Sequence, residues 1–289
     1  MILALALSPS LDVTYEIDRL RVGDVTRPFS VTRVAGGKAL NAARVAHALG
    51  ADVATIVALG GRTGAHVADL LAADGVDASV VTLVAETRTC FALVETQGGS
   101  SSTDVYEPAT PLTQTEWSDF CDAALSAPRA DWVFLSGSVP PGVAPRDVAG
   151  LLRRLADRGS RVAIDSSGPA LHALSGEADL LKINRQEADE LLSRTDGSAE
   201  ASARAVHASL GIDVVITDGA RGGWSIIGDR GVPIAAPSVI GRFSAGSGDA
   251  FLGGLLAALD RQVGAERALD CARTAAERNA TCPGQGVLA

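Results

Sequence analysis

The stretch LNAARVAHALGADVATIVAL, residues 40–59, decides the fold class because it joins a helical repeat to a strand. Apolar residues recur at helical spacing over Leu40–Leu49, and Val53–Leu59 is then an almost continuous apolar run. The first pattern is typical of a helix that covers a core, and the second is typical of a strand buried on both faces. The stretch therefore predicts an α/β protein.

The same alternation continues in both directions along the chain. Further strand-like runs are Ile2–Leu7, Ala78–Val84, Phe91–Glu95, Trp132–Leu135, Val162–Asp165, Leu180–Ile183 and Val214–Thr217. Helical segments lie at Ala65–Ala73, Glu116–Leu125, Ala144–Asp157, Glu187–Leu192, Ala201–Leu210, Ala250–Leu259 and Glu266–Asn279. Alternating strands and helices predict a parallel sheet between two helix layers, which is a Rossmann-like three-layer αβα architecture.

Two segments, residues 12–35 and 86–107, interrupt this alternation with short strands joined by polar turns. Their strand-like runs are Thr14–Ile17, Ser30–Val34, Thr89–Glu95 and Ser101–Val105, with a hairpin turn expected at Gln97–Ser100. We expect the two segments to pair into a small β-sheet lid. The chain, residues 1–289, is then a single domain with a discontinuous lid.

Composition excludes several classes of protein. With 47% apolar residues and a net charge of −9, the chain can build a core and repels other polyanions, so disorder, nucleic acid and anionic membranes are disfavoured. Its longest apolar runs fall far short of the ~18–20 residues of a membrane-spanning helix. The amino terminus is interpreted as a strand, and the four cysteines show no pairing motif, so a cytoplasmic protein is expected.

Lysine and asparagine are scarce in this chain. The only lysines are Lys38 and Lys182 among 25 basic residues, and the only asparagines are Asn41, Asn184 and Asn279. Lysine is a compact point charge whereas arginine is a planar fork, so the two residues are not equivalent at a phosphate. We interpret the five residues as candidates for chemistry that a substitute would not perform.

The first glycine-rich turn, Ala35–Ala43, opens a helix. Gly36 and Gly37 allow a ligand to approach the backbone, and the helix amides together with Lys38 favour an anion. Asn41 lies one turn further along, facing the same end. The alternative interpretation is an ordinary turn that carries a solvated lysine.

The second glycine-rich turn begins at Gly246 and also leads into a helix. It matches neither the Walker A loop nor the dinucleotide fingerprint. The amides of Gly246, Ser247 and Gly248 could form a nest for developing negative charge, and Asp249 could accept a proton from an attacking hydroxyl. The alternative is an aspartate that caps the helix, worth ~1 kcal/mol.

A third candidate is the segment from Lys182 to Glu187. Asn184 and Glu187 share one helix face and could hold a hydrated Mg²⁺ ion. The same two residues also satisfy the pattern of a capping box, and the sequence leaves both interpretations open.

Several single residues follow strands or lie in the lid segments, and each alone is more typical of structure than of function. They are Asp12, Arg88, Ser138, Thr217, Gly219 and Gly222. The four histidines lie in helical segments without a partner motif and are interpreted as structural or solvated.

Taken together, these motifs resemble the ribokinase/PfkB carbohydrate kinase family, in the branch of 1-phosphofructokinase and tagatose-6-phosphate kinase. The matching motifs, in chain order, are Ser8–Asp12, Gly36–Asn41, Glu86–Thr89, Ser136–Gly142, Lys182–Glu187, Gly246–Asp249 and Thr281–Gly286. The resemblance spans almost the whole chain and implies the ribokinase-type fold. The chain departs from it at Ala39, where glycine is usual, and at Ile183, where proline is frequent.

The resemblance implies a role for each motif. Asp249 would be the catalytic base, with the amides up to Gly248 as an anion hole. Asp12, Gly36, Gly37, Asn41 and Ser138 would face the sugar, while Lys38 and Arg88 would hold a phosphate already on it. Lys182, Asn184 and Glu187 would serve ATP and Mg²⁺, and Thr217, Gly219, Gly222 and Asn279 would line the nucleotide pocket.

We therefore expect an ATP-dependent kinase that acts on a phosphorylated ketohexose, with fructose 1-phosphate as the leading substrate. Tagatose 6-phosphate and fructose 6-phosphate are the alternatives within the family. A non-catalytic sugar-phosphate sensor is the alternative from another class. The resemblance also implies a homodimer formed through the lids.

Overall fold

The computed structural model describes residues 1–97, 102–194, 197–228 and 230–289. Its strands are β1 (Ile2–Ala6), β2 (Ser10–Ile17), β3 (Ser30–Gly36), β4 (Val53–Gly60), β5 (Asp77–Leu83), β6 (Thr89–Glu95), β7 (Ser102–Tyr106), β8 (Trp132–Ser136), β9 (Arg161–Asp165), β10 (Leu180–Asn184), β11 (Asp213–Thr217), β12 (Gly223–Ile227) and β13 (Arg230–Ile234). Its α-helices are α1 (Lys38–Ala48), α2 (Gly61–Ala73), α3 (Gln114–Ser126), α4 (Pro145–Ala156), α5 (Gly168–Leu174), α6 (Arg185–Leu191), α7 (Ala199–Leu210), α8 (Ser247–Asp260) and α9 (Ala265–Ala280).

The large sheet has the order β13-β12-β11-β10-β9-β8-β1-β4-β5 within the described residues. From β11 to β5 every neighbouring pair is parallel, as the alternation of strands and helices predicts. The hairpin of β12 and β13 then extends the sheet antiparallel to β11. The three-layer αβα architecture expected from the sequence is confirmed.

Side chains of the large sheet alternate between two helix layers. On β1, Leu3 and Leu5 pack into a cluster with helices α3 to α7, whereas Ile2 and Ala4 pack into a cluster with α1, α2, α8 and α9. All four side chains are at most 1% exposed. Each fully buried leucine or isoleucine contributes ~1.5–3 kcal/mol, so both layers are fixed mainly by apolar burial.

Helix α8 packs closely on two other helices through adjacent glycines. A Cβ atom at Gly253 would lie 2.4 Å from the Ala42 carbonyl oxygen of α1. A Cβ atom at Gly254 would lie 2.8 Å from Ala275 Cβ on α9. The glycine pair therefore allows the backbone of α8 to touch its neighbours on both sides.

The small sheet has the order β3-β2-β6-β7 and combines strands from both lid segments. Strand β2 pairs antiparallel with β3 and parallel with β6, and β7 completes the sheet antiparallel to β6. The predicted hairpin turn at residues 97–100 lies largely outside the described residues. That this sheet acts as a lid on a single domain stays a prediction.

Two features of the fold were not predicted. Helix α5 (Gly168–Leu174) begins with a glycine and a proline and has only seven residues, so its apolar pattern is too short to recognise. Strands β12 and β13 contain glycine and proline, which disfavour regular strands in a sequence pattern. The hairpin they form matters because Ile234 and its neighbours line the cavity described below.

Candidate active site

The candidate site lies where strands of the large sheet end and two helices begin. Asp165 ends β9 and Asn184 ends β10, while Lys38 begins α1 and Asp249 lies in the first turn of α8. In an open parallel sheet, the carboxyl ends of the strands are the usual place for a ligand. The fold thus brings residues from distant parts of the chain to one edge.

Asp249 is the central acid of this edge. Its side chain is 7% exposed, and Asn41 donates a 2.9 Å hydrogen bond from Nδ2 to Oδ2 of the carboxylate. Burial raises the pKa of Asp249 to about 6, although the nearby lysines and the bond from Asn41 oppose that rise. A carboxylate with such a pKa is ionised at neutral pH and binds a proton more readily than an exposed aspartate.

The glycine before helix α8 is required by its surroundings. Gly246 has φ +80°, and a Cβ atom there would lie 2.9 Å from Gln285 Cβ. A larger residue would both strain the backbone and displace the loop that carries Gln285. Of the two amides that follow, that of Ser247 donates to the Ser244 carbonyl oxygen at 3.2 Å. The Gly248 amide is exposed at the helix N-terminus, where such an N–H group favours an anion.

Both lysines of the chain lie next to one carboxylate. Lys182 Nζ lies 2.6 Å from Asp165 Oδ2, and Lys38 Nζ lies 3.9 Å from Asp165 Oδ1. Asp165 and Lys182 are almost fully buried, whereas the side chain of Lys38 is 43% exposed. A Cβ atom at Gly248 would lie 3.3 Å from Lys182 Nζ, so this ammonium group borders the first turn of α8.

Asp165 was missed by the sequence analysis. Its charge is the largest cause of the raised pKa of Lys38, and it also raises the pKa of Asp249. The only signal in the sequence is an aspartate at the end of a buried strand, which is too common to single out. Its importance comes from Lys38 and Lys182, which the fold brings to it.

The second buried acid of the site, Asp12, lies on β2 of the small sheet. Ser10 Oγ donates a 2.6 Å hydrogen bond to its Oδ1, and the Gly37 amide donates a 3.3 Å bond to its Oδ2. Burial raises the pKa of Asp12, and these two bonds oppose the rise. A Cβ atom at Gly36 would lie 2.0 Å from the Asp12 carboxyl carbon, so this glycine makes room for the acid.

Gly37 forms the junction between the small sheet and helix α1. It has φ +93°, and a Cβ atom there would lie 2.9 Å from both Pro9 Cα and the Ser8 carbonyl oxygen. The glycine pair, interpreted from the sequence as room for a ligand, is therefore also needed for packing.

Lys38 and Arg88, expected to hold one phosphate together, take different partners. Arg88 donates to the carbonyl oxygens of Ser8, Pro9 and Glu107 at 2.9, 3.3 and 3.1 Å, and it lies close enough to Asp12 to affect the pKa of that acid. These three bonds leave two of the five guanidinium N–H groups for a ligand.

Ser138 is exposed in the turn after β8.

Asn184 and Glu187 form a capping box at the start of α6. Asn184 Oδ1 accepts a 2.9 Å bond from the Glu187 amide, and Glu187 Oε2 accepts a 2.8 Å bond from the Asn184 amide. One carboxylate oxygen of Glu187 is not used by the box, and burial together with Asp165 raises the pKa of this glutamate. The capping box is therefore present, and it leaves the other carboxylate oxygen of Glu187 free to bind a ligand.

Mg²⁺ does not need a complete set of protein ligands, so a single free carboxylate oxygen such as that of Glu187 fits its chemistry. Among the described residues, no group of three or more His, Cys, Asp or Glu is arranged to hold a metal ion. Mg²⁺ in phosphoryl-transfer sites is usually bound by one or two carboxylates, with waters and substrate phosphates as the other ligands. Glu187 can supply one such carboxylate beside the lysine pair.

A cavity of about 420 Å³ opens beside the amino end of α8. Its polar lining includes Asn184, Thr217, Ser247 and Gly248, and its apolar lining includes Ile234, Pro237, Val239, Ile240, Phe251, Ala276 and Ala280. Gly219 and Gly222 also line it, both with positive φ, at +57° and +80°. The volume and the mostly apolar walls suit a nucleotide base.

Asn279, expected at the nucleotide, lies behind the cavity wall. The side chain is fully buried, donates to the Ala245 carbonyl oxygen at 3.0 Å and to Ser247 Oγ at 3.2 Å, and accepts from the Gly286 amide at 2.7 Å. Its amide therefore braces the turn before α8 against the carboxyl-terminal loop.

No helix in the described part of the chain combines the length and the hydrophobicity that a membrane-spanning segment requires.

A buried acid at the start of a helix, beside two lysines and a cavity, suits the transfer of a phosphoryl group to a hydroxyl. The model of the pfkB family carbohydrate kinases matches residues 7–288, and the chain belongs to that family. It is therefore a carbohydrate kinase.

Solved structures of similar proteins agree with this fold. Phosphofructokinase-2 from Escherichia coli in complex with fructose-6-phosphate is 25% identical, with a TM-score of 0.88 over 96% of this chain and 92% of that one. The tetrameric inhibited form of the same enzyme is 25% identical, with a TM-score of 0.89 over 96% and 93% of the two chains. A protein from Thermotoga maritima described as a possible 1-phosphofructokinase is 18% identical, with a TM-score of 0.83 over 97% and 92%.

Proposed function

We propose that this carbohydrate kinase phosphorylates a phosphorylated ketohexose with ATP, and that fructose 1-phosphate, phosphorylated at its 6-hydroxyl, is the substrate. The observation that carries the proposal is the position of Asp249 beside Asn41, with Lys38 and Lys182 within electrostatic reach. Such an arrangement supplies a base for the acceptor hydroxyl and positive charge for the phosphoryl group.

The choice of a phosphorylated sugar rests on positive charge at the acceptor end. Arg88 lies near Asp12 on the small sheet and has N–H groups left over, while Lys38 lies at the start of α1. A dianionic phosphate needs such partners, whereas a neutral sugar does not. The resemblance of the Glu86–Thr89 motif to the sugar-phosphate branch supports the same choice.

In this mechanism, ATP supplies the phosphoryl group and Mg²⁺ offsets the charge of its phosphates. Asn41 holds Oδ2 of Asp249, which leaves Oδ1 to accept the proton of the sugar hydroxyl as its oxygen attacks. The Gly248 amide, with Lys182 beside it, stabilises the charge that develops on the transferred group. Glu187 would hold the metal ion.

Fructose 6-phosphate is the second candidate substrate, because a solved relative is described in complex with it. Tagatose 6-phosphate presents the same combination of a terminal phosphate and a primary hydroxyl at the other end. A non-catalytic sensor is disfavoured by the presence of Asp249, its partner Asn41 and both lysines.

The test is ADP release with ATP and Mg²⁺ across fructose 1-phosphate, fructose 6-phosphate, tagatose 6-phosphate, fructose and ribose. We expect turnover to be fastest with fructose 1-phosphate and at least ~100-fold slower with unphosphorylated fructose, since two charge-assisted contacts are lost. A preference for fructose or ribose would contradict the role of Lys38 and Arg88. Binding of a sugar phosphate with no turnover would favour the sensor.

A homodimer formed through the small sheets belongs to the same proposal. Strands β3 and β7 lie at the two edges of this sheet, and an open strand edge can pair with another chain. Light scattering of the purified protein tests it, and a monomeric mass at micromolar concentration would contradict it.

A further inference from the structure

Tyr106, which no motif singled out, lies in one row of residues with Asp12 across the small sheet. The register pairs Asp12 of β2 with Val34 and with Cys90, and it pairs Cys90 with Tyr106 of β7. Residues directly opposite each other on paired strands point to the same face. Tyr106 therefore shares a face with Asp12 at a distance of two strands, about 10 Å between backbones.

This shared face, called the inner face below, is turned toward the candidate active site. A Cβ atom at Gly284 would lie 3.1 Å from Val34 Cγ1, so the carboxyl-terminal loop packs on the inner face. The next residue of that loop, Gln285, accepts a 3.4 Å hydrogen bond from Asn41, the partner of Asp249. The inner face thus carries Asp12 itself and packs on the loop that contacts Asn41.

The hydroxyl of Tyr106 lies within electrostatic reach of both acids. Burial is the main cause that raises the pKa of Tyr106, and the charges of Asp104, Asp12 and Asp249 raise it further. Even so, the residue remains 55% exposed, and its hydroxyl donates a long hydrogen bond, of 3.5 Å, to Asp104 on the same strand. Its ring and hydroxyl are therefore available to a ligand.

We propose that Tyr106 contacts the acceptor sugar from the small sheet, a specificity contact that rests on the proposed kinase function. The ring covers the carbon skeleton of the sugar, and the hydroxyl bonds to one of the sugar hydroxyls. An aromatic side chain with a polar tip can make both contacts at once. Asp104 beside the ring repels a phosphate, so the hydroxyl-bearing part of the sugar faces Tyr106 while the phosphate stays with its proposed partners Arg88 and Lys38.

The chain offers a matched control for this inference. Its two tyrosines, Tyr15 and Tyr106, lie on opposite faces of the small sheet. Asp12 and Thr14 of β2 point to the inner face, so Tyr15 points to the other one. There its ring packs edge-on against Phe91, at 6.2 Å between ring centroids. The variants are Tyr106→Phe, Tyr106→Ala and Tyr15→Phe. Thermal unfolding and circular dichroism establish that each one folds.

Two readouts are measured for each variant. Steady-state kinetics gives KM for the acceptor sugar and for ATP, and calorimetry gives the Kd of the sugar without turnover. We expect Tyr106→Ala to raise both KM and Kd for the sugar by about tenfold, and Tyr106→Phe to raise them severalfold. KM for ATP stays within twofold in every variant, and Tyr15→Phe changes none of the constants by more than that.

A folded Tyr106→Ala variant that binds the sugar within twofold of the wild type would overturn the inference. So would an equal rise in KM for ATP, which indicates a general disturbance of the site. The proposed substrate is judged separately from the ADP-release panel on the wild type. If the wild type prefers another sugar, that substrate proposal fails, and the Tyr106 variants are then measured with the preferred sugar.

Discussion

Asp12 and Asp249 are buried acids from two different parts of the site, and their surroundings differ. Burial is the main cause that raises both pKa values. Asp12 is held by two donors close to it in the fold, Ser10 Oγ and the Gly37 amide. Asp249 has one donor, Asn41, and its pKa further depends on charges of the lysine pair and Asp165.

The difference indicates which acid binds and which one reacts. A carboxylate whose oxygens are both held by local donors is fixed in place, so it suits the recognition of sugar hydroxyls. A carboxylate held at one oxygen, whose proton affinity is set by several charged groups, suits proton transfer. Asp12 is thus interpreted as the binding acid and Asp249 as the base.

The largest effect is expected from Asp249→Asn, which keeps the shape and removes the base. We expect kcat to fall by ~10³–10⁴-fold. The Kd of the acceptor sugar should stay within a few-fold of the wild type in a calorimetric titration. A residual kcat within tenfold of the wild type would show that Asp249 is not the base.

Asp12→Asn should act on binding instead. Loss of the negative charge removes charge-assisted bonds to the sugar, so we expect KM for the sugar to rise by ~10- to 100-fold, with a smaller change in kcat. Steady-state kinetics on the same substrate gives both constants, and thermal unfolding serves as the control for folding. A fall in kcat as large as that of Asp249→Asn would contradict the assignment of the two acids.

The pH dependence of kcat tests which neighbours raise the pKa of Asp249 and which lower it. Because the base must be ionised and its pKa is about 6, kcat should fall as the pH drops below that value. Asn41 stabilises the charged carboxylate, so Asn41→Ala should raise the pKa of Asp249 and move the acidic limb of the profile to higher pH. Asp165 raises this pKa, so Asp165→Asn should move the limb to lower pH.

The pH profiles of Asn41→Ala, Asp165→Asn and the wild type are all recorded as kcat at saturating sugar phosphate. The second ionisation of a sugar phosphate also falls near pH 6. It is the same for all three proteins, so differences between their profiles report on the enzyme. Shifts in the same direction would contradict the opposing influences of Asn41 and Asp165.

The smallest effect is expected from Ser10→Ala. It removes the 2.6 Å bond to Asp12 Oδ1, so the free energy of unfolding should fall by about 1 kcal/mol and KM for the sugar should rise a few-fold. Ser8→Ala is the matched control, since Ser8 Oγ is buried without a hydrogen-bond partner among the described residues. Chemical denaturation that gives equal losses for both variants would contradict the role of the Ser10 bond.

Local patterns predicted much of this molecule. Strands such as Val53–Gly60 and helices such as α1 agree with their sequence patterns within two residues, because a continuous apolar run or a helical repeat is decided locally. The capping box at Asn184 and Glu187 was one of two interpretations of its segment, and the structure contains it. Whether these residues also bind ATP and Mg²⁺ stays a prediction.

Relations between distant residues could not be predicted in the same way. Asp165 has no motif of its own and matters through Lys182 and Lys38, which come from other strands and helices. Asn279 was placed at the nucleotide by resemblance, whereas its buried amide bonds to the turn before α8 and to Gly286. Tyr106 shares a face with Asp12 only because three strands, β2, β6 and β7, pair in one register.

The glycine contact between α8 and α1 has a mechanical consequence for catalysis. Asp249 and its partner Asn41 stand on these two helices, and Gly253 allows backbone to meet backbone one turn further along. The distance between the two helices that carry the base and its partner is thus set by contact of main-chain atoms, which have no alternative rotamers. Because the two helices meet backbone to backbone, we expect them to move as one unit, and we expect any closure around the sugar to come from movement of the small sheet.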